Sequence, residues 1–581
     1  MPQEPQKDGL RLSGVLVFSE ALDLGGKVDG LTKMVVSIVE HNGRNKLSEV
    51  AWCSGGAEKS PVENEKIAKI TLGQGYLVAN LAYLDELARE LFKKSFKDLT
   101  GGEKKECLQG AAQKAPIFGA ILGADESNLL GPYLKEGRYC RAKLPSLLVE
   151  PSTSSKFSYL VGKEGKVRLE VHALIHELGV VVISLWLPFR NLTVDQIIDL
   201  DNDFIEEKQG SVALDGHEAV KDKSIYDFIR EDLVTTLSEK VNPPLRSRSR
   251  SETISGSTVF VLTGGWDSFA DAVNAAPMGI YGVLTGERNW RYEIASMVPQ
   301  ELDKARVSTS VEEGWFVSMS RGLMLVTKGK LRRLAGKLGA HDISTILAVD
   351  ATAMTGLTEF LLVMDELGHI YSDMVKRKLD DVYRAYVALG SSMKSDDVKE
   401  IDRLLLEVKD AMMEERNILF TASDPGRTFV ERSKEEWGIN AEYAALKEDL
   451  DNMRDLVHAW YQERQASDSA VLGVLFSSFN VLLVMSLTWD IATRFWPPLV
   501  GFLATVVVGA VTAIIIIYVI KRYEVLETQS HHAGNRRART SKGHTEGDAE
   551  GTRQVPAEES PSLAAPEHPA STSRTPTGLC P

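Results

Sequence analysis

Asn480 is the one amide in a run of twenty uncharged residues, 470–489, that reads AVLGVLFSSFNVLLVMSLTW. Gly473, Ser477, Asn480, Val484 and Thr488 recur every three or four residues there, so on a helix they form one stripe. An amide turned toward hydrocarbon is costly, so the stripe must face protein or water. Two chemistries fit it: the wall of an aqueous pore, or hydrogen-bonding glue between helices.

Other chemistry is sparse. His172 and His176 tempt a metal reading, but the alternation around them is that of a strand, which sets them about 13 Å apart as ordinary sheet residues. Four cysteines, Cys53, Cys107, Cys140 and Cys580, form no CxxC pair, so neither a disulfide scaffold nor a zinc site is expected. No Walker A loop, GxGxxG, GxSxG or HExxH is present, so the chain is not expected to be an enzyme or to carry a bound cofactor. A net charge of −14 argues against nucleic acid as partner.

The elements that would position Asn480 are legible. Twenty residues of helix span roughly 30 Å, the thickness of a hydrocarbon core. A second uncharged run, 499–520, follows. Gly501, Thr505, Gly509 and Ala513 give it a small-residue packing face at four-residue spacing. The short connection between the runs permits only an antiparallel hairpin. Trp489, Phe495, Trp496 and Tyr523 lie at the ends, as aromatic belts do. Lys521 and Arg522 follow the second run, whereas the loop holds only Arg494, which predicts that both termini are cytoplasmic. The expectation is an integral, multi-pass membrane protein in contact with lipid.

Before the hairpin, Tyr443, Leu446, Leu450, Met453, Val457 and Trp460 make a heptad seam, and no Gly or Pro interrupts 440–472. One stalk helix is therefore expected to run into the first span, over a length on the order of 75 Å to Trp489. Helices are also predicted over 360–389 and from Ser395 through Met412, with a break at 422–427. Two antiparallel helices and a stalk, or a self-contained three-helix bundle, satisfy these patterns. The uninterrupted seam favours self-association.

The fold class is α+β: an N-terminal α/β cytoplasmic domain, a long helical hairpin with a stalk helix, and a C-terminal two-helix transmembrane hairpin. The expected organisation is an α/β domain over 1–242 and an Arg/Ser-rich linker or loop over 243–257. A continuation of that domain, or a second small one, follows over 258–350. The helical hairpin and stalk occupy 360–469, the two spans 470–520, and a disordered tail 524–581. Within the α/β part, a strand begins at Gly14, a helix is expected over 77–96 and another within 215–241. A hairpin over 167–185 turns at Gly179. Further strands are expected near 258–263, 279–284 and 315–327.

This order of parts resembles the CorA-like divalent metal cation transporter superfamily, most clearly over 360–523. Where that family carries Gly-Met-Asn at the outer end of the first span, this chain reads Ser486-Leu487-Thr488-Trp489-Asp490. The resemblance implies a homo-oligomer, a pentamer, with the first membrane helix lining the pore. It implies Mg²⁺ or another divalent cation as substrate, held through its water shell by rings of Asn480 and Ser477. It also implies a ring of Asp490 at the outer mouth that concentrates cations. Ligands for a metal within the cytoplasmic part are not identifiable among the 81 acidic residues. A second reading makes the hairpin only a tether for a scaffold or sensor body that binds a ligand or partner.

Overall fold

The computed structural model describes residues 10–23, 39, 50–54, 67–72, 75–104, 106–107, 139–152, 155–162, 164–241, 256–310, 312–338, 342–389, 399, 401–409, 424–495 and parts of 500–518. The loop 243–257, save its last two residues, and the tail 524–581 lie outside them. The chain divides into two compact units, Met1–Asp455 and Leu456–Pro581.

The first unit is mixed α and β. The first five of its strands are β1 (Arg11–Asp23), β2 (Val50–Ser54), β3 (Ile67–Leu72), β4 (Gly75–Asn80) and β5 (Tyr139–Glu150). They are followed by β6 (Val167–His176), β7 (Val180–Thr193), β8 (Lys208–Leu214) and β9 (Val220–Ser224). The last are β10 (Gly256–Thr263), β11 (Arg306–Thr309), β12 (Glu313–Ser318) and β13 (Arg321–Val326). All thirteen join one sheet in the order β11-β12-β13-β10-β1-β7-β6-β5-β2-β4-β3, with β8 pairing β5 and β9 beyond it. Every pairing is antiparallel except β10 with β13. Because β10 lies between β1 and β13, the 256–326 stretch builds the same sheet as the N-terminal strands.

The middle strands are covered on both faces, so they read as near-continuous apolar runs. On β7, Val181, Ile183, Leu185 and Leu187 enter one core, while Val180, Val182, Ser184 and Trp186 point to the opposite face. Between β6 and β7, Gly179 has φ 88° and its N–H donates to the His176 carbonyl at 3.0 Å, which makes it the hairpin turn expected at that position. At the register shift of β1, a side chain on Gly14 would stand 2.5 Å from the Val261 carbonyl oxygen, so only glycine lets β10 approach.

Six helices matter here. α1 (Leu81–Phe92) is capped by Asn80, whose side chain accepts from Ala82 N at 3.0 Å. The helix expected from residue 77 therefore begins later, because residues 75–80 pair with β2 and β3 instead. α2 (Val194–Asp199) opens with a Thr193–Gln196 capping box. α3 (Pro277–Thr285) replaces the strand expected at 279–284. Periodicity cannot separate a short apolar helix from a strand, and Pro277 at its first turn and Gly286 at φ 69° decide for helix.

α4 (Ile343–Leu389) begins seventeen residues before the expected Phe360. Its N-terminal half packs on β1, β10 and β7. There it is buried nearly all round, with Thr and acidic residues among the apolar ones, so no solvent-facing polar side marks its period. α5 (Asp424–Glu436) starts inside the expected break at 422–427, since Asp424-Pro425 suits a first helical turn rather than an interruption. After Gly438 at φ 77°, α6 (Ile439–Phe495) continues for 57 residues.

Among the described residues, one helical stretch is long and apolar enough to cross a membrane, Ile346–Asp381 within α4. It is mostly buried and serves as the core helix of the sheet. The two runs read as spans are described only in part.

Candidate functional site

α6 carries the whole stripe Gly473, Ser477, Asn480, Val484 and Thr488 on one continuous helix. Gly473 is exposed, with open space where a side chain would stand. The side chains of Ser477, Asn480, Val484 and Thr488 lie outside the described residues. Asp490, expected in the connecting loop, is instead an exposed residue of α6, which runs five residues further to Phe495. The sequence Asp-Ile-Ala-Thr-Arg holds no Gly or Pro, so nothing stops the helix before Pro497.

Around the stripe, Leu472, Leu475, Phe476, Phe479, Leu483, Leu487 and Trp489 are large apolar side chains left open. The second run does the same with Phe502, Leu503, Val506, Val507, Val511, Ile514 and Ile515. Of the small-residue face, Thr505 and Gly509 are half-buried together with Val508, on one side of a helical stretch. Gly501 and Ala513 lie outside the described residues. Trp489 meets Phe502 edge-on, with ring centroids 6.5 Å apart, which joins one position of each apolar run.

The seam of α6 has a partner inside the chain. Tyr443, Leu446, Leu450 and Met453 are all buried, and the Tyr443 hydroxyl donates to the Met364 carbonyl of α4 at 3.0 Å. The seam expected to drive self-association is thus covered within one copy over this length, as in a self-contained bundle. Trp460 lies outside the described side chains.

A buried polar row was not visible in the sequence. Strand register places Ser19, Ser184, His172 and Lys143 side by side across β1, β7, β6 and β5 on the face that α4 covers. From α4, Glu359 reaches into this row. It accepts from Ser184 Oγ at 2.6 Å and pairs with the Arg141 guanidinium. Ser19 and Ser184 hydroxyls lie 2.8 Å apart. Arg141 and Glu359 are both essentially inaccessible. Neither nitrogen of His172 finds a hydrogen-bond partner, and its nearest carboxylate, Glu170, is 3.9 Å away. Burial holds this imidazole below its ordinary proton affinity, against the opposing pull of Glu170. His172 and His176 are thus buried sheet residues, as expected. Through Glu359 the row ties α4 to the sheet.

The titratable constellation with ligand spacing is elsewhere, at Asp365, His369 and Glu442, where α4 meets the first turn of α6. Sequence reasoning missed it, although Asp365 and His369 stand four apart in a stretch read as helix. The third member comes from 73 residues further on, and only the tertiary fold supplies it. The chain matches no protein-family model, and neither the curated proteins nor the solved structures contain a significant match to it.

Proposed function

We propose that this chain is a multi-pass membrane protein whose α6 continues as the first of two membrane helices, and that copies of it form a CorA-like channel or transporter for divalent cations. Both termini are cytoplasmic in this reading. The observation that carries it is the open apolar surface of 472–489 on a helix rooted in the folded body. A soluble protein rarely leaves so many contiguous large apolar side chains uncovered, and lipid is the solvent that suits them. The order of parts supports it as well: a sheet, a long helix, a second long helix that enters an apolar run, and a second apolar run close behind it in the sequence.

In this mechanism, copies of α6 surround an axis. Asn480 and Ser477 hold a cation through its water, since Mg²⁺ sheds water reluctantly. Asp490, at an exposed place on the helix, raises cation concentration at the mouth. Divalent uptake into proteoliposomes tests the proposal. Flux is expected, and Asn480→Leu at equal incorporation should lower it at least about tenfold, a barrier change of about 1.4 kcal/mol. No flux of any divalent cation from intact, oligomeric protein overturns it.

The covered seam and the Ser486-Leu487-Thr488-Trp489-Asp490 stretch favour a second reading, in which the hairpin tethers a scaffold or sensor body. A pentameric mass in detergent supports the first reading; a monomeric or dimeric mass without conductance supports the second.

A further inference from the structure

We infer that Asp365, His369 and Glu442 form a binding site for one divalent transition-metal ion, of the Zn²⁺, Co²⁺ or Ni²⁺ type, that joins α4 to the first turn of α6. This inference rests on the geometry of those two helices within the folded body and not on the transport reading. The ion here is a resident ligand, not cargo.

The helix period explains why two of the ligands share a face. Residues four apart on α4 stack one turn above the other, so Asp365 and His369 project side by side. Glu442 arrives from α6, and one ligand atom from each of the three lies within 4.8 Å of the others. His369 Nδ1 already stands 2.6 Å from Glu442 Oε1. Two donors bound tetrahedrally to one ion at about 2.0–2.1 Å stand about 3.3 Å apart. The pair therefore has to open by about 0.7 Å to admit the ion. Asp365 supplies the third donor of the set.

The crossing is built for this approach. Gly368 sits between the α4 ligands, and a side chain there would stand 3.2 Å from the Glu442 carboxyl and 3.2 Å from the Tyr443 ring. Its bareness lets the Glu442 carboxyl reach α4. One residue along from Glu442, Tyr443 is buried and hydrogen-bonded to Met364, the residue before Asp365. That hydrogen bond fixes the two backbones against each other beside the ligands. His369 remains about half exposed, so an ion and its waters can enter.

The donor set defines the chemistry. One imidazole nitrogen and two carboxylates suit borderline metals, with the remaining positions open to water. Mg²⁺ favours oxygen alone, so it should bind this site weakly. Two carboxylates with a neutral imidazole leave two negative charges that a dication neutralises. Glu442 first, and then Asp365 and Glu366, raise the proton affinity of His369.

The test is calorimetric titration of the full chain in detergent with ZnCl2, and separately with MgCl2. His531, His532, His544, His568 and Cys580 of the tail are first replaced by Ala, so that they add no competing donors. One Zn²⁺ per chain is expected, and much weaker Mg²⁺ binding. Loss of an outer-sphere partner alone costs 10–100-fold in affinity. His369→Ala and Glu442→Gln should therefore each weaken Zn²⁺ at least about tenfold, and Asp365→Asn should act in the same direction. Asp373→Asn, two turns beyond His369's partner Asp365 on α4, should leave affinity unchanged. Circular dichroism checks that each variant is folded. Zn²⁺ affinity unaltered by both His369→Ala and Glu442→Gln in folded protein overturns the site, as does equal affinity for Mg²⁺.

Discussion

The polar residues under α4 show what single side chains can and cannot reveal. His172 and His176 were readable as strand residues because Val167-Arg-Leu-Glu-Val-His alternates, and the structure puts both on β6. The Arg141–Glu359 pair was not readable. Its partners are 218 positions apart, and nothing local marks either as buried. A buried pair of this kind offers little net stability, yet breaking it strands a charge in the core. His172 has a pH consequence of definite sign. Its folded proton affinity is depressed, chiefly by burial, with Lys143 and Arg141 adding to the depression and Glu170 opposing it. The unfolded chain then binds the extra proton below about pH 6.5, so stability falls as pH drops through that value. Between about pH 7.5 and about pH 5.5 this one group should remove up to about 1.4 kcal/mol. Urea unfolding of the full chain in detergent at both pH values, compared between wild type and His172→Leu, isolates the effect. The variant should lose less stability on acidification by that amount. An identical pH dependence in both proteins would show that His172 binds its proton equally well in the folded and the unfolded chain.

Helices and strands were legible where one face is polar and obscure where both are covered. The part of α4 from Phe360 onward carries the expected stripe, whereas residues 343–359 lie on the sheet, buried nearly all round, and show no such stripe. The same ambiguity turned α3 into an expected strand. The seam of α6 was read correctly as a seam, but sequence spacing cannot say which surface it meets. Here it meets its own chain, since Leu446 is fully buried beside Tyr443. Leu446→Ala should therefore destabilise the folded body by about 2–5 kcal/mol, the usual cost of emptying a buried leucine site. The expected readout is a lower urea midpoint that does not change with protein concentration. A midpoint shift that vanishes on concentrating the protein would show instead that the seam joins separate copies.

At the level of the whole molecule, the sequence revealed the order of parts but not the sheet. β1 pairs with β10 across more than two hundred residues, and β10 runs parallel to β13, pairings that no local pattern encodes. The proposed hairpin would be the converse case, because lipid imposes a length and a composition that sequence displays directly. In that proposal the orientation is read from a charge asymmetry: Lys521, Arg522, Arg536, Arg537 and Arg539 behind the second run against Arg494 between the runs. If that asymmetry sets the topology, the turn after α6 faces outward and Cys580 faces the cytoplasm. Cys53, Cys107 and Cys140 are buried and should give little background to a thiol reagent in native protein. Intact cells expressing Thr493→Cys should therefore react with a membrane-impermeant maleimide at position 493. Protein with the native Thr493 should react, at Cys580, only after permeabilisation. Labelling of Cys580 in intact cells would reverse the orientation. Protection of both positions in intact cells, with release of the protein by alkaline carbonate, would remove the hairpin from the membrane and the channel reading with it.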